Sequence, residues 1–135
     1  MSTPNEDFWP DDLMEGIPTT PKDILQYQAA KLGEKTRNLI TGEIETRVAK
    51  DGDFVHKLLI CIPSLNNYKY ELMWVFHGIS LYPVTDDDNI EYNTEASFKG
   101  FVREKLSSPD TIKLIKAFIS QAKGVRDAAD GDIPV

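Results

Sequence analysis

Residues 40–48 alternate between apolar or small side chains and charged ones, which is the pattern of a half-buried β-strand. Asp51 and Gly52 follow, and this pair can adopt the positive φ angles of a tight hairpin turn. Residues 54–62, FVHKLLICI, predict a second strand, which should be central because it is apolar on both faces toward its end. Residues 68–76, YKYELMWVF, predict a third strand after a turn formed by PSLNN.

A period of two along the third strand predicts which of its side chains face the helices. The side chains of that predicted stripe are Tyr68, Tyr70, Leu72, Trp74 and Phe76. Glu71, Met73 and Val75 are then predicted to face the opposite way, beside Lys57 and Leu59 of the second strand. This second face mixes charged and apolar side chains, so we expect a docking surface or a dimer contact there.

Helical segments flank the strands on both sides. Thr20 followed by Pro21 is a helix-start signal, and the first helix is expected to end at Gly33. Thr94 and Ser108 are expected to cap two further helices, each of which carries apolar residues at helical spacing.

The order of these segments predicts an α+β fold. We expect an antiparallel meander of three or four strands, with one N-terminal and two C-terminal helices packed on one face. Residues 79–84, ISLYPV, continue the sheet or form its fourth strand, and Pro83 indicates an edge position. The predicted domain covers residues 20–123, between an extended arm (1–19) and a flexible tail (124–135).

The arm is acidic and rich in proline, yet it contains large apolar side chains. Phe8 and Trp9 are the most prominent, and exposed aromatic residues at this density usually dock somewhere. We expect the arm to dock on its own domain, with a partner protein as the alternative. Phe8 and Trp9 therefore join Glu71, Met73 and Val75 as candidate interaction residues.

Length, composition and charge indicate the size of the domain and the kind of partner it could bind. The chain has 135 residues, of which 41% are hydrophobic, and this is enough for one domain with its own core. The net charge is −7 and the basic residues are scattered, so a protein with a basic surface is a more natural partner than nucleic acid. Neither a signal peptide nor an apolar run of about 20 residues is present, and we therefore expect a cytoplasmic protein without a membrane partner.

Three consecutive aspartates, Asp86, Asp87 and Asp88, raise the question of a metal site. A calcium loop of the EF-hand type needs glycine at its sixth position and glutamate at its twelfth. Counting from Asp86 places Glu91 and Ser97 there, and counting from Asp87 fails in the same way. We therefore expect a solvated turn and no metal.

The two histidines form the other candidate site. Antiparallel pairing across PSLNN places residues whose numbers sum to about 131 opposite each other. His77 should then lie near Phe54 and His56 near Val75, with both rings on a shared face. A zinc site would need at least one more ligand, so no metal is predicted. In the alternative interpretation, His56, His77 and Glu71 line a pocket between arm and sheet that binds or hydrolyses a small ligand.

The sequence contains no other complete catalytic or cofactor-binding motif. Cys61 lies inside the apolar run LLICI, where a buried and inert thiol is expected. The patterns of a serine hydrolase and of a phosphate-binding loop are absent. Glu43 and Glu45 face the same way, and charge on the outer face of a sheet accounts for them. We therefore predict no catalytic residue and no cofactor.

Three stretches, PTTPKDILQYQAAKLGEKT, PSLNNYKYELMWVFHGISLYPV and SSPDTIKLIKAFISQAK, carry a resemblance to small uncharacterised bacterial proteins. It covers residues 17–123 and implies a capped helix, a meander, two closing helices and a bacterial source. The expected function is a non-enzymatic protein-interaction module of the immunity or regulator kind. Acidic immunity proteins, which cover the basic active site of a toxin, supply the analogy.

Overall fold

The computed structural model describes residues 4–130, and their side chains as far as residue 125. The predicted α+β fold is confirmed, with five strands instead of three or four, in one antiparallel sheet of order β1-β2-β3-β4-β5. The elements are α1 (Pro21–Lys35), β1 (Thr41–Val48), β2 (Phe54–Ile62), a 3₁₀ turn (Pro63–Leu65), β3 (Tyr68–His77), β4 (Val84–Asp86), β5 (Glu91–Tyr92), α2 (Glu95–Ser107) and α3 (Pro109–Asp130).

The first helix begins where its capping signal predicts. Thr20 Oγ1 accepts a hydrogen bond from the backbone N–H of Asp23 at 3.0 Å, and the Asp23 carboxylate accepts one from the backbone N–H of Thr20 at 3.2 Å. The predicted end at Gly33 is wrong, because α1 continues to Lys35. A Cβ on Gly33 would lie 2.9 Å from Asn38 Oδ1, so this glycine lets the following loop approach the helix.

The β2–β3 register follows the prediction through its first half and then shifts. Phe54 pairs with His77, as expected, and the pattern continues to Leu58 opposite Met73. Leu59, however, pairs with Glu71, which leaves Leu72 as an extra residue in β3. The extra residue is a β-bulge, and it reverses the side-chain alternation of the rest of the strand.

The bulge overturns part of the predicted docking face. Met73 and Val75 point toward the helices and are 2% and 0% exposed, so their predicted outward orientation is wrong. Trp74 and Phe76 instead lie on the helix-free face, where their rings stack at 5.9 Å between centroids. Glu71 stays on that face, as predicted, and forms an ion pair with Lys57 at 3.2 Å.

The core has two parts, both between sheet and helices. One part lies under α1 and α2 and contains Ile24, Leu25, Leu58, Met73, Val75, Val84, Phe98 and Val102. The other lies under α3 and contains Ile40, Ile60, Ile62, Phe118 and Ala122. Gly42 brings α1 close to β1, since a Cβ there would lie 2.6 Å from the Cα of Ala29.

Charged side chains shelter the helix-free face of the sheet. Glu43 and Glu71 stand directly opposite Leu59, on β1 and β3 respectively. Each glutamate reaches a lysine, with Glu43 at 3.0 Å from Lys69 and Glu71 at 3.2 Å from Lys57. Leu59 is buried although no helix covers it, because the aliphatic stems of such pairs lie over the apolar positions.

The arm contains no helix or strand in residues 4–19. Its large apolar side chains are exposed, and Phe8 and Trp9 retain 84% and 74% of their accessible surface. The expectation that the arm docks on its own domain is therefore wrong. At the other end α3 continues to Asp130, beyond the predicted start of the tail, and residues 131–135 lie outside the described residues. Among the described helices, none is long and apolar enough to cross a membrane.

Candidate functional site

The structure brings the two histidines into direct contact on the helix side of the sheet. His56 Nε2 lies 2.9 Å from His77 Nε2, and both side chains are buried. The outer nitrogens also have partners, because His56 Nδ1 is 2.9 Å from Thr46 Oγ1 and His77 Nδ1 is 2.7 Å from the carbonyl oxygen of Gly78. One hydrogen-bonded chain therefore runs across three strands.

The direction of every hydrogen bond in this chain follows from its last acceptor. A carbonyl oxygen can only accept, so Nδ1 of His77 carries a hydrogen and donates to Gly78. The neutral ring then accepts at Nε2, where His56 donates its own Nε2–H. Nδ1 of His56 accepts from the Thr46 hydroxyl. All four ring nitrogens are satisfied while both rings are neutral.

The surroundings of the pair favour this neutral state. Burial, followed by the His77 ring and the Lys22 ammonium, lowers the pKa of His56 from 6.5 to about 4. Two protonated rings would place two N–H groups face to face at 2.9 Å. The pair therefore links β1, β2 and β3 through hydrogen bonds while both rings are neutral.

The alternative pocket of His56, His77 and Glu71 does not form. Glu71 lies on the opposite face of the sheet, with its carboxylate on Lys57. Two cavities lie between the helices, and neither histidine lines them. Thr19 is the sole arm residue at their edge, so the predicted pocket between arm and sheet is wrong.

The aspartates do form a turn, but Asp86 is not solvated. Asp86 Oδ1 accepts hydrogen bonds from the backbone N–H groups of Asp88 and Ile90, both at 2.9 Å. Its Oδ2 accepts from the Tyr92 hydroxyl at 2.8 Å. Burial and this hydrogen bond raise the pKa of Tyr92. Carboxylate oxygens of the three aspartates come within 4.8 Å of one another, yet those of Asp86 are already engaged in holding β4 to β5.

Cys61 is buried, and nothing near it resembles a catalytic site. It stands between Thr41 of β1 and Lys69 of β3 on the helix-free face. Lys69 points to Glu43 at 3.0 Å. The geometry agrees with an inert thiol, because a reactive cysteine needs an exposed and electropositive setting.

A groove lies between α1 and the two C-terminal helices. It consists of two adjoining cavities of about 710 and 810 Å³, and we call the whole the helix groove. Both cavities are lined by Tyr27 and Gln28 of α1, Leu106 of α2 and Ile112 of α3. Its floor is apolar and comprises Leu58, Ile60, Leu72, Ile115 and Ile119.

Basic side chains surround the helix groove. Lys31, Lys35 and Lys116 line one cavity, while Lys99 and Arg103 line the other. Lys31 and Lys99 are paired with glutamates at 3.3 and 3.4 Å on the outer sides of their helices. Within the described residues, the other three have no ion pair. One acidic residue, Asp23, shares the groove, and its carboxylate caps α1.

Tyr27 and Ile112 are not among the residues for which the sequence predicts a function. Both remain exposed at the mouth of the groove, by 62% and 40% of their surface. One available signal was the apolar stripe of α3, which begins with Ile112. The lysines every four residues at 31 and 35 were a second signal, since this spacing places both on one helix side.

Comparisons with protein-family models, curated proteins and solved structures found no match to this chain. The resemblance to small bacterial proteins therefore stays a prediction. The function proposed below rests on the contacts and charges of the chain itself.

Proposed function

We propose that this protein is a non-enzymatic binding module whose helix groove takes an acidic segment of a partner protein with large apolar side chains. The observation that carries the proposal is the ring of five basic residues around an apolar groove, in a chain of net charge −7. The lining stays positive by two charges after Asp23 and the glutamate partners of Lys31 and Lys99 are counted, which is opposite in sign to the chain as a whole. The sequence-based expectation of a basic partner rested on net charge alone, and the local charge favours the opposite sign.

The apolar floor supplies the affinity in this proposal. Burial of apolar surface contributes roughly 25 cal/mol per Å², so an aromatic or leucine side chain that covers the exposed surface of Tyr27 and Ile112 would contribute most of the binding energy. The lysines then orient the segment and exclude basic competitors, because surface charge governs specificity and association rate more than affinity.

The shape of the helix groove favours a chain segment over a small molecule. Small-molecule pockets bury most of their ligand, usually within about 300–1,000 Å³. Here two cavities join end to end alongside α1, and Tyr27 and Ile112 expose apolar surface at the mouth. A helix or extended segment can cover that exposed surface, as in other helix-in-groove complexes.

A peptide-display selection tests the proposal. Random peptides of about 16 residues can span the length of α1, which is about 22 Å at 1.5 Å per residue. Selection on the protein is expected to enrich peptides that combine Asp or Glu with Phe, Trp or Leu. Ile112→Glu places a carboxylate at the centre of the groove and should abolish binding of the enriched peptides.

Ile79→Glu is the matched control, because Ile79 is an exposed isoleucine in the β3–β4 loop and lines neither cavity. It should bind the peptides as the parent protein does. Enrichment of basic peptides, or equal binding by the Ile112→Glu and Ile79→Glu variants, would refute the groove as the site.

A further inference from the structure

The outer edge of β1 carries unpaired backbone groups. Ala49 donates its N–H to the carbonyl of Asp53 at 2.8 Å, so the N–H of Ala49 points toward β2. Backbone groups of an antiparallel strand alternate in direction. The N–H and C=O groups of Ile44, Thr46 and Val48 therefore point away from the sheet, and in the described residues β1 pairs with β2 alone.

This edge strand carries three charged side chains, Glu43, Glu45 and Arg47, but it lacks the other usual protection against pairing. Exposed edge strands are commonly interrupted by proline, lysine or a bulge, or covered by another element. β1 is eight residues long, contains neither proline nor lysine, and pairs with β2 without a register shift. Residues 45–48 are exposed on both faces, and Val48 retains 62% of its accessible surface.

We propose that two copies of this chain pair along β1, antiparallel, with Thr46 opposite Thr46 of the second copy. Thr46 then exchanges two backbone hydrogen bonds across the two-fold axis, and Ile44 pairs with Val48 of the second copy on either side. These are the residues whose backbone groups point outward, so about six hydrogen bonds can form. The two five-stranded sheets become one continuous sheet.

Charge selects this register over its neighbours. With Thr46 at the centre, Glu45 of each copy faces Arg47 of the other, in a position where side chains lie closest. A shift that centres the pair on Ile44 places Glu43 opposite Glu45 twice. A shift to Val48 places Glu45 opposite Asp51. Both alternatives bring like charges together. A register centred on Glu45 pairs Glu43 with Arg47 twice but sets Glu45 against Glu45, so the Thr46 register is the one that pairs opposite charges without a like-charged pair.

The proposed contact between the two β1 strands is short, and this limits the affinity of the dimer. Five residues a side bury less surface than the roughly 1,200 Å² of a stable interface, so the dimer belongs to the weak, reversible class. We expect a monomer–dimer equilibrium in the micromolar range or weaker. This proposal does not depend on the helix groove, which lies between helices on one face of the sheet and away from its edge.

Sedimentation velocity across a wide range of protein concentration measures the equilibrium. Arg47→Glu turns both cross-strand pairs into Glu–Glu contacts and should weaken the dimer tenfold or more. The double variant Glu45→Lys/Arg47→Glu restores opposite charges and should recover dimerisation. Lys123→Glu, on exposed α3 surface, makes the same change of net charge as Arg47→Glu and should leave the dimer intact.

Three results would overturn the proposal. The first is a parent protein that stays monomeric up to millimolar concentration. The second is an Arg47→Glu variant that dimerises as well as Lys123→Glu does. The third is a double variant that dimerises as weakly as Arg47→Glu. Circular dichroism of each variant shows that the fold is retained, since both substituted side chains are exposed.

Discussion

Acidification from pH 7 to pH 4 should destabilise this fold through His56. The ring is buried between Thr46 and His77, and all its hydrogen bonds are satisfied in the neutral state. In the unfolded chain the same imidazole is free to take up a proton near pH 6.5. The unfolded state therefore binds more protons than the folded state as the pH falls below that value.

The magnitude follows from the two pKa values. The folded pKa of about 4 lies below the unfolded value of 6.5, so the stabilising contribution of the neutral ring is complete above pH 6.5 and is lost as the pH falls toward 4. Each pH unit is worth about 1.4 kcal/mol, and the full loss is about 3 kcal/mol. This is a large part of the roughly 5–15 kcal/mol that stabilises a typical domain.

Urea denaturation at a series of pH values measures this loss. His56→Gln is the informative variant, because an amide can donate toward His77 and accept from Thr46 but does not titrate. The free-energy difference between parent and variant should shrink by about 3 kcal/mol between pH 7 and pH 4. Carboxylates contribute equally to both proteins and cancel in the difference.

If the difference in unfolding free energy between the parent and His56→Gln stays constant with pH, this account of the histidine pair is refuted. An NMR titration of the His56 Cε1–H resonance provides an independent measure. A midpoint near 6.5 in the folded protein would show that the ring takes up its proton without cost and that the hydrogen-bonded chain does not oppose it.

Two further substitutions test features of the sheet by urea denaturation. Gly42→Ala forces a methyl group against the backbone of α1 and should cost about 1–3 kcal/mol. Gly100→Ala, in α2 with open space around it, should instead stabilise by about 0.5–1 kcal/mol, and equal effects of the two would contradict the close approach. Asp86→Ala removes the acceptor of two backbone hydrogen bonds and of the Tyr92 hydroxyl, so it should cost about 2–4 kcal/mol. Exposed Asp87 is its control, since Asp87→Ala should change stability by less than about 0.5 kcal/mol, and a similar loss in both would show that Asp86 has no special role.

The sequence predicted the start of each helix because a helix start depends on interactions between residues that are close in sequence. The Thr20–Pro21 start of α1 holds because the threonine side chain satisfies a backbone donor that would otherwise lack a partner. The contact between His56 and His77 depends on more than the turn, because the register at the turn, with Ile62 opposite Tyr68, shifts by one residue before it reaches the histidines.

The β-bulge shows where a period of two fails. Leu72 and Met73 are both apolar, so the pattern along β3 fits either face at this point. One extra residue exchanges the two faces, and it moved Val75 into the core and Trp74 out of it. The adjacent apolar pair was the available signal, but hydrophobicity alone does not distinguish a bulge from a strand buried on both sides.

The helix groove was beyond prediction for a different reason. Periodicity indicates which face of α1 or α3 is apolar, but the distance between helices depends on how they pack. Tyr27 and Ile112 could equally have met in the core. Only the packed structure shows that a gap separates them.

Because Cys61 is buried, its reaction with a thiol reagent measures how often the surrounding strands open. It is the single cysteine of the chain, and it lies buried on the helix-free face, beside the Glu43–Lys69 ion pair. A thiol reagent can reach it only while that face is transiently open. The labelling rate, divided by the rate for a free thiol, thus gives the fraction of time that the β1–β2–β3 region spends open, without any engineered probe.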